Sequence, residues 1–140
     1  EWHPEAGRNN WFACPDNMAV DRKGRLWVAT DQGSGWNAAS SSADVLYALA
    51  TTGEKRGLAR RIFRAPVGAE VCGPCFTPDG TTLFLAVQHP GADGTKNFKG
   101  FERASTFDDP ATRWPDFASD MPPRPSVVVI TAKKGGPVGG

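Results

Sequence analysis

The chain has 140 residues, of which sixteen are Gly and twelve Pro; sixteen basic side chains stand against fifteen acidic ones, for a formal net charge of +1. That length suits one ordinary core, and so many Gly and Pro residues exclude long helices. The near-neutral balance provides no global field for nucleic acid or an acidic membrane surface.

Residues 1–16 read as an opening loop, polar and broken by Gly and Pro. Alternating apolar and β-branched residues then predict a hairpin with strands at 17–21 and 25–31, followed by strands at 45–50 and 58–65. Between the second and third of these, residues 33–42 form a small-residue loop in which Trp36 is the one strong anchor. Arg56, Arg60, Arg61 and Arg64 concentrate around the fourth strand, as on the solvated face of an outer strand. Strands follow near 71–77 and 82–88, then an irregular stretch from His89 to Pro125, then a strand at 127–131. Five prolines between Pro110 and Pro125 oppose regular structure in that stretch. Phe98, Phe101, Phe107, Trp114 and Phe117 nevertheless require a packing surface. The tail from Lys133 to Gly140 offers no closing strand. No stretch keeps apolar residues at helical spacing, so the fold class is all-β.

The two hairpins are copies of one unit. Leu26-Trp-Val-Ala-Thr-Asp31 and Leu83-Phe-Leu-Ala-Val-Gln88 lie 57 residues apart, and Asn17 aligns with Gly73 when the second turn is given one extra residue. Gly24 and Gly80 occupy the turns, where a positive φ is needed. This period fits a long-looped propeller blade better than a helical repeat. The expected architecture is a β-propeller of about two blades, with units at about 12–66 and 67–132 and a long loop at 89–125. Two blades cannot close a ring, so upstream blades or partner chains are expected to cover the open edges.

Cys14, Cys72 and Cys75 are odd in number, which rules out a complete internal disulfide set. Cys72 and Cys75 have a Cys-x-x-Cys spacing, but residues three apart in a regular strand point to opposite faces; small buried fillers are the expected role. The chain opens Glu1-Trp-His-Pro4 without a signal-like segment, and no apolar run reaches membrane-spanning length. Ser34 lacks the strand-to-helix context of a nucleophile elbow, and the Gly-rich segments lack the following helix that a phosphate cradle needs.

In a propeller blade, the start of the first strand and the end of the second meet at one rim. Asp16 and Asn17 should therefore approach Asp31, and Glu70 should approach Gln88 and His89. Carboxylate and amide oxygens are the donors hard cations require, which makes Asp16, Asn17, Asp31 and Glu70 candidate metal ligands. His89 adds a nitrogen able to bond a substrate oxygen or carry a proton, and is the candidate catalytic residue. Taken singly, Asp16 and Asn17 also fit an Asx-turn, and His89 also fits a loop brace.

The motifs Phe12-Ala-Cys-Pro-Asp-Asn17, Glu70-Val-Cys-Gly-Pro74, Phe76-Thr-Pro-Asp-Gly80, Gln88-His-Pro-Gly91 and Trp114-Pro-Asp116 resemble, in order and spacing, the C-terminal segment of the PhoX-type alkaline phosphatases. Cys72 stands where the resemblance leads one to expect Thr. The resemblance implies a propeller phosphomonoesterase, periplasmic or secreted, with calcium and iron at the channel mouth and a small phosphorylated substrate. It makes Asp31 and Glu70 the first choices as metal ligands, Asn17 and Asp16 ligands or their supports, and His89 a substrate-side partner. It also implies that upstream blades supply most of the site, so the chain alone is expected to be inactive. A calcium-dependent lactonase-like propeller and a non-catalytic scaffold are the alternatives.

Overall fold

A computed structural model describes residues 3–7, 10–33, 35–36 and 42–140. The expected loop at 33–42 therefore falls largely outside the described residues. The described residues form seven strands: β1 (Pro15–Val20), β2 (Leu26–Thr30), β3 (Val45–Leu49), β4 (Ala59–Arg64), β5 (Glu70–Phe76), β6 (Thr82–Gln88) and β7 (Ser126–Thr131). They form two antiparallel sheets, β1-β2-β3-β4 and β5-β6-β7, each in chain order. All seven lie within a residue or two of the sequence-based expectation, because each is a short run of apolar alternation closed off by turn residues.

The sheets stack face to face, as adjacent blades of a propeller do. Trp27, Ala29, Leu46 and Ala48 from the first meet Val71, Leu83, Leu85 and Val87 from the second, and all are buried. A smaller cluster of Val45, Tyr47 and Ala59 lies on the other side of the first sheet under Phe12. There the Tyr47 hydroxyl donates to the Trp11 carbonyl at 3.0 Å, fastening the opening segment to the sheet.

The repeat extends to the irregularities. Register in the first hairpin shifts between Pro15 and Met18, and in the second between Cys72 and Cys75. In each bulge two residues face one, which bends the strand at the same level of both units. The second bulge also corrects an expectation. Cys72 pairs with Ala86 and Cys75 with Phe84, two residues apart, so both cysteines lie on one face. Only Cys72 is buried; Cys14 and Cys75 are exposed, not core fillers, and all three are free.

The stretch from His89 to Pro125 holds a single short 3₁₀ turn, Thr95–Asn97. It is compact nonetheless, because turns and side-chain bonds tie it to itself. Arg124 donates through two nitrogens to Asp116, at 2.8 Å each, and the Arg113 guanidinium donates to the Met121 carbonyl at 3.0 Å. The tail also docks. Val138 is buried against the inter-sheet core, and its amide donates to the Gly80 carbonyl at 2.9 Å.

Candidate functional site

Both bulges lie toward the rim where β1 and β5 begin and β2 and β6 end. Glu70 and Gln88 are directly paired there, and the Asp31 amide donates to the Cys14 carbonyl at 3.1 Å. The bulge frees Asn17 from the ladder and turns it across to the second sheet. Its Oδ1 accepts from the Gly73 amide at 2.7 Å, while its Nδ2 donates to Asp16 Oδ2 at 2.8 Å. The two residues aligned by the repeat are thus bonded to each other.

Around Glu70 a chain of polar groups forms. Gln88 Nε2 donates to Cys72 Sγ at 2.7 Å, the Cys72 thiol donates to Glu70 Oε1 at 3.4 Å, and Glu70 Oε2 lies 3.4 Å from His89 Nε2. Burial pushes the Cys72 thiol up to about 11; the Gln88 amide opposes that rise, and Glu70 and Asp16 add to it. The thiol therefore stays protonated through ordinary alkaline conditions and keeps its hydrogen for Glu70.

His89 is fixed from its other side. Its Nδ1 lies 3.2 Å from the Gly68 carbonyl and 3.7 Å from Asp93 Oδ2. Burial by itself lowers the His89 pKa, but the Gly68 carbonyl, Asp93 and Glu70 together outweigh it and raise the value. Because a carbonyl only accepts, the neutral ring carries its proton on Nδ1 and turns the Nε2 lone pair toward Glu70. Gly68 itself has φ +67, and an added Cβ would come within 2.8 Å of the Asp93 carbonyl and 2.9 Å of the Ala92 amide. Glycine at that position lets the loop after His89 lie against the turn before β5.

Asp16, Asn17, Glu70 and His89 are thus brought to one neighbourhood. Asp31 belongs to an adjacent group, where its charge acts on Asp44. Asp44 had no signal in sequence beyond its place before β3. It is buried, accepts at Oδ1 from the Gln32 amide at 2.5 Å and from the Thr30 hydroxyl at 3.0 Å, and is pushed up to about 6 chiefly by burial. A raised folded-state value means that the native protein retains a proton the unfolded chain releases, so stability falls as pH rises through the window from the ordinary carboxylate value to about 6. Asp44→Asn keeps both accepted bonds without the charge. It should stabilise the protein by up to about 3 kcal/mol near about pH 8 and by almost nothing near about pH 4. Denaturant unfolding across that range checks this; a pH-independent difference from the wild type would contradict it.

Among the described residues, no three His, Cys, Asp or Glu side chains close around a common metal position. What the rim presents is a set of separate donors, of which Glu70 is held by the Cys72 thiol and His89 by the Gly68 carbonyl. None of the helices is long and apolar enough to cross a membrane, among the described residues.

Comparison with known proteins gives the family. The family model described as alkaline phosphatase PhoX matches residues 3–91. Among solved structures, Pseudomonas fluorescens PhoX in complex with vanadate, a transition-state analogue, is similar at 34% identity with a TM-score of 0.66. The similarity covers 89% of this chain and 19% of that one. No curated protein matches. With more than half of its length matched by the family model, this chain belongs to the alkaline phosphatase PhoX family.

Proposed function

We infer that the chain supplies one side of the active site of a metal-dependent phosphomonoester hydrolase. Two blade-like units, about 12–66 and 67–132, would present the site at their shared rim, with further blades completing it. The observation that carries this is the Glu70 and His89 pair: with Nδ1 engaged by the Gly68 carbonyl, the Nε2 lone pair and a carboxylate oxygen face each other at 3.4 Å. Two acceptors so close favour a cation or a proton between them.

The donors fit hard and borderline cations in kind. Glu70 and Asp31 are the proposed metal ligands, and Asp16 is a further oxygen donor. Asn17 serves as the brace that joins the two blades, since its Oδ1 already accepts from Gly73. Calcium and iron, the ions implied by the motif resemblance, would supply positive charge to hold phosphoryl oxygens and offset the charge that builds up in displacement. Cys72 and Gln88 hold the Glu70 carboxylate in position, and Gly68 and Asp93 hold the His89 ring. In its neutral form His89 offers Nε2 as an acceptor toward a substrate or solvent hydroxyl. The vanadate-bound relative supports the phosphoryl part of this reading, and the matched family supports a location in the periplasm or outside the cell.

The test is hydrolysis of a chromogenic phosphomonoester at alkaline pH by the whole protein. Activity should vanish on chelation and return with added metal; activity indifferent to chelators would overturn the reading.

A further inference from the structure

Beside the rim, a groove of about 380 Å³ runs between the β4–β5 connection and the long loop. Its walls include Phe63, Val67, Phe98, Trp114 and Phe117, with Arg64 at its edge. We propose that this groove binds the organic half of the substrate, and that it selects phosphate esters of aromatic alcohols over those of small polar alcohols. The proposal rests on the phosphatase reading of the adjoining rim and adds a substrate class to it.

Continuity with the rim carries the inference. Val67, in the groove wall, accepts through its carbonyl from the Gly91 amide at 2.7 Å, and the next residue, Gly68, holds the His89 ring. Thr112, in the opposite wall, lies beside Gly91: a Cβ built on that glycine would stand 3.3 Å from the Thr112 methyl. The groove and His89 therefore share two backbone segments, the turn before β5 and the bend that follows His89. The groove thus adjoins the Nδ1 side of the His89 ring, and an ester substituent extending past the ring from a phosphoryl group at Nε2 would enter it.

The lining matches a flat apolar group. Phe63 and Trp114 are half-buried against the inter-sheet core and give the groove a firm floor. Phe117 stands over it with 72% of its surface exposed and a left-handed backbone, φ 53. Exposed beside the other apolar walls of the groove, the ring offers a face that a flat apolar group can cover. An aryl ring sandwiched between Phe117 and the floor would cover it, with offset or edge-on ring contacts. The volume lies within the range of small-molecule sites, of which it is a small example, roughly 300–1,000 Å³. A small polar alcohol such as glycerol would gain little from the same walls.

The experiment compares phenyl phosphate with glycerol phosphate as substrates of the whole protein and its Phe117→Ala variant. Because Phe117 is exposed, its truncation should leave the fold intact, and a Phe117→Leu variant controls for lost apolar cover. Phe117→Ala should raise KM for phenyl phosphate by about three- to tenfold while leaving that for glycerol phosphate unchanged, with Phe117→Leu recovering part of the loss. Equal effects on the two esters, or none on either, would overturn the groove assignment while leaving the phosphatase reading intact. Failure of the wild type to hydrolyse either ester would overturn both.

Discussion

Trp27→Ala should lower the unfolding free energy by about 3–5 kcal/mol, the range for deleting a large buried aromatic. Trp27 has no exposed surface and stands at the centre of the inter-sheet core. Its ring meets Phe76 edge-on at 5.1 Å, which joins β2 of the first sheet to β5 of the second. Its indole N–H donates to Asp21 Oδ2 at 2.8 Å, and Asp21 also accepts from Arg25 Nε at 2.6 Å. Burial alone raises the Asp21 pKa, but the Trp27, Arg25 and Lys23 donors outweigh it and hold the carboxylate below its usual value. Arg25 in turn donates to the Val138 carbonyl at 3.0 Å, so the tail, the first turn and the core form one connected unit. Losing the indole therefore opens a cavity and also removes a donor from Asp21. Trp27→Phe, which keeps most of the ring but not the N–H, should cost about 1–2 kcal/mol. Denaturant unfolding followed by far-UV circular dichroism measures both. A loss below about 1 kcal/mol for the alanine variant would mean that the two sheets do not depend on this contact for their packing.

Glu70→Gln should reduce kcat/KM for phosphomonoesters by about a hundredfold or more, on the scale of removing one charged group from a catalytic centre. The substitution preserves shape and leaves an amide oxygen for the Cys72 thiol. It removes the negative charge that His89 Nε2 faces at 3.4 Å and that a cation would need. A brace such as Asn17 behaves differently: its loss should loosen the contact between β1 and β5 and show up first in stability. Unchanged kcat/KM in the Glu70 variant would remove this carboxylate from the chemistry.

The strands were legible because each is a short apolar run between turn residues, and because the hairpin occurs twice. The repeat aligns Asn17 with Gly73 and sets both at one rim, but the bond between them, made across the two sheets, appears only in the structure. Three things were not legible. The bulge that places Cys72 and Cys75 on one face depends on a single unpaired residue, which a strict period of two conceals. The long loop has no periodicity, and its order comes from pairs such as Arg124 with Asp116 and Arg113 with the Met121 carbonyl. Asp44 and Gly68 act only through neighbours distant in sequence, Asp44 as a buried acceptor of the Gln32 amide and Gly68 as the anchor of His89. The tail forms no closing strand, as its sequence indicates, but its docking was not legible: Val138 is held by bonds to Gly80 and Arg25.

One face of the second sheet remains open. Phe84, Val127 and Val129 are exposed on it, and Phe84 occupies the place in β6 that Trp27 occupies in β2. Trp27 is covered by the second sheet, so the repeat calls for a further blade over Phe84. That geometry agrees with a chain spanning 19% of its solved relative.

The most direct test is the calcium and iron content of the whole protein and of its Glu70→Gln variant, both first shown to be folded. A rim that binds metal through Glu70 predicts bound metal in the wild type and a clear fall in stoichiometry in the variant. Equal metal content in the two proteins would contradict it.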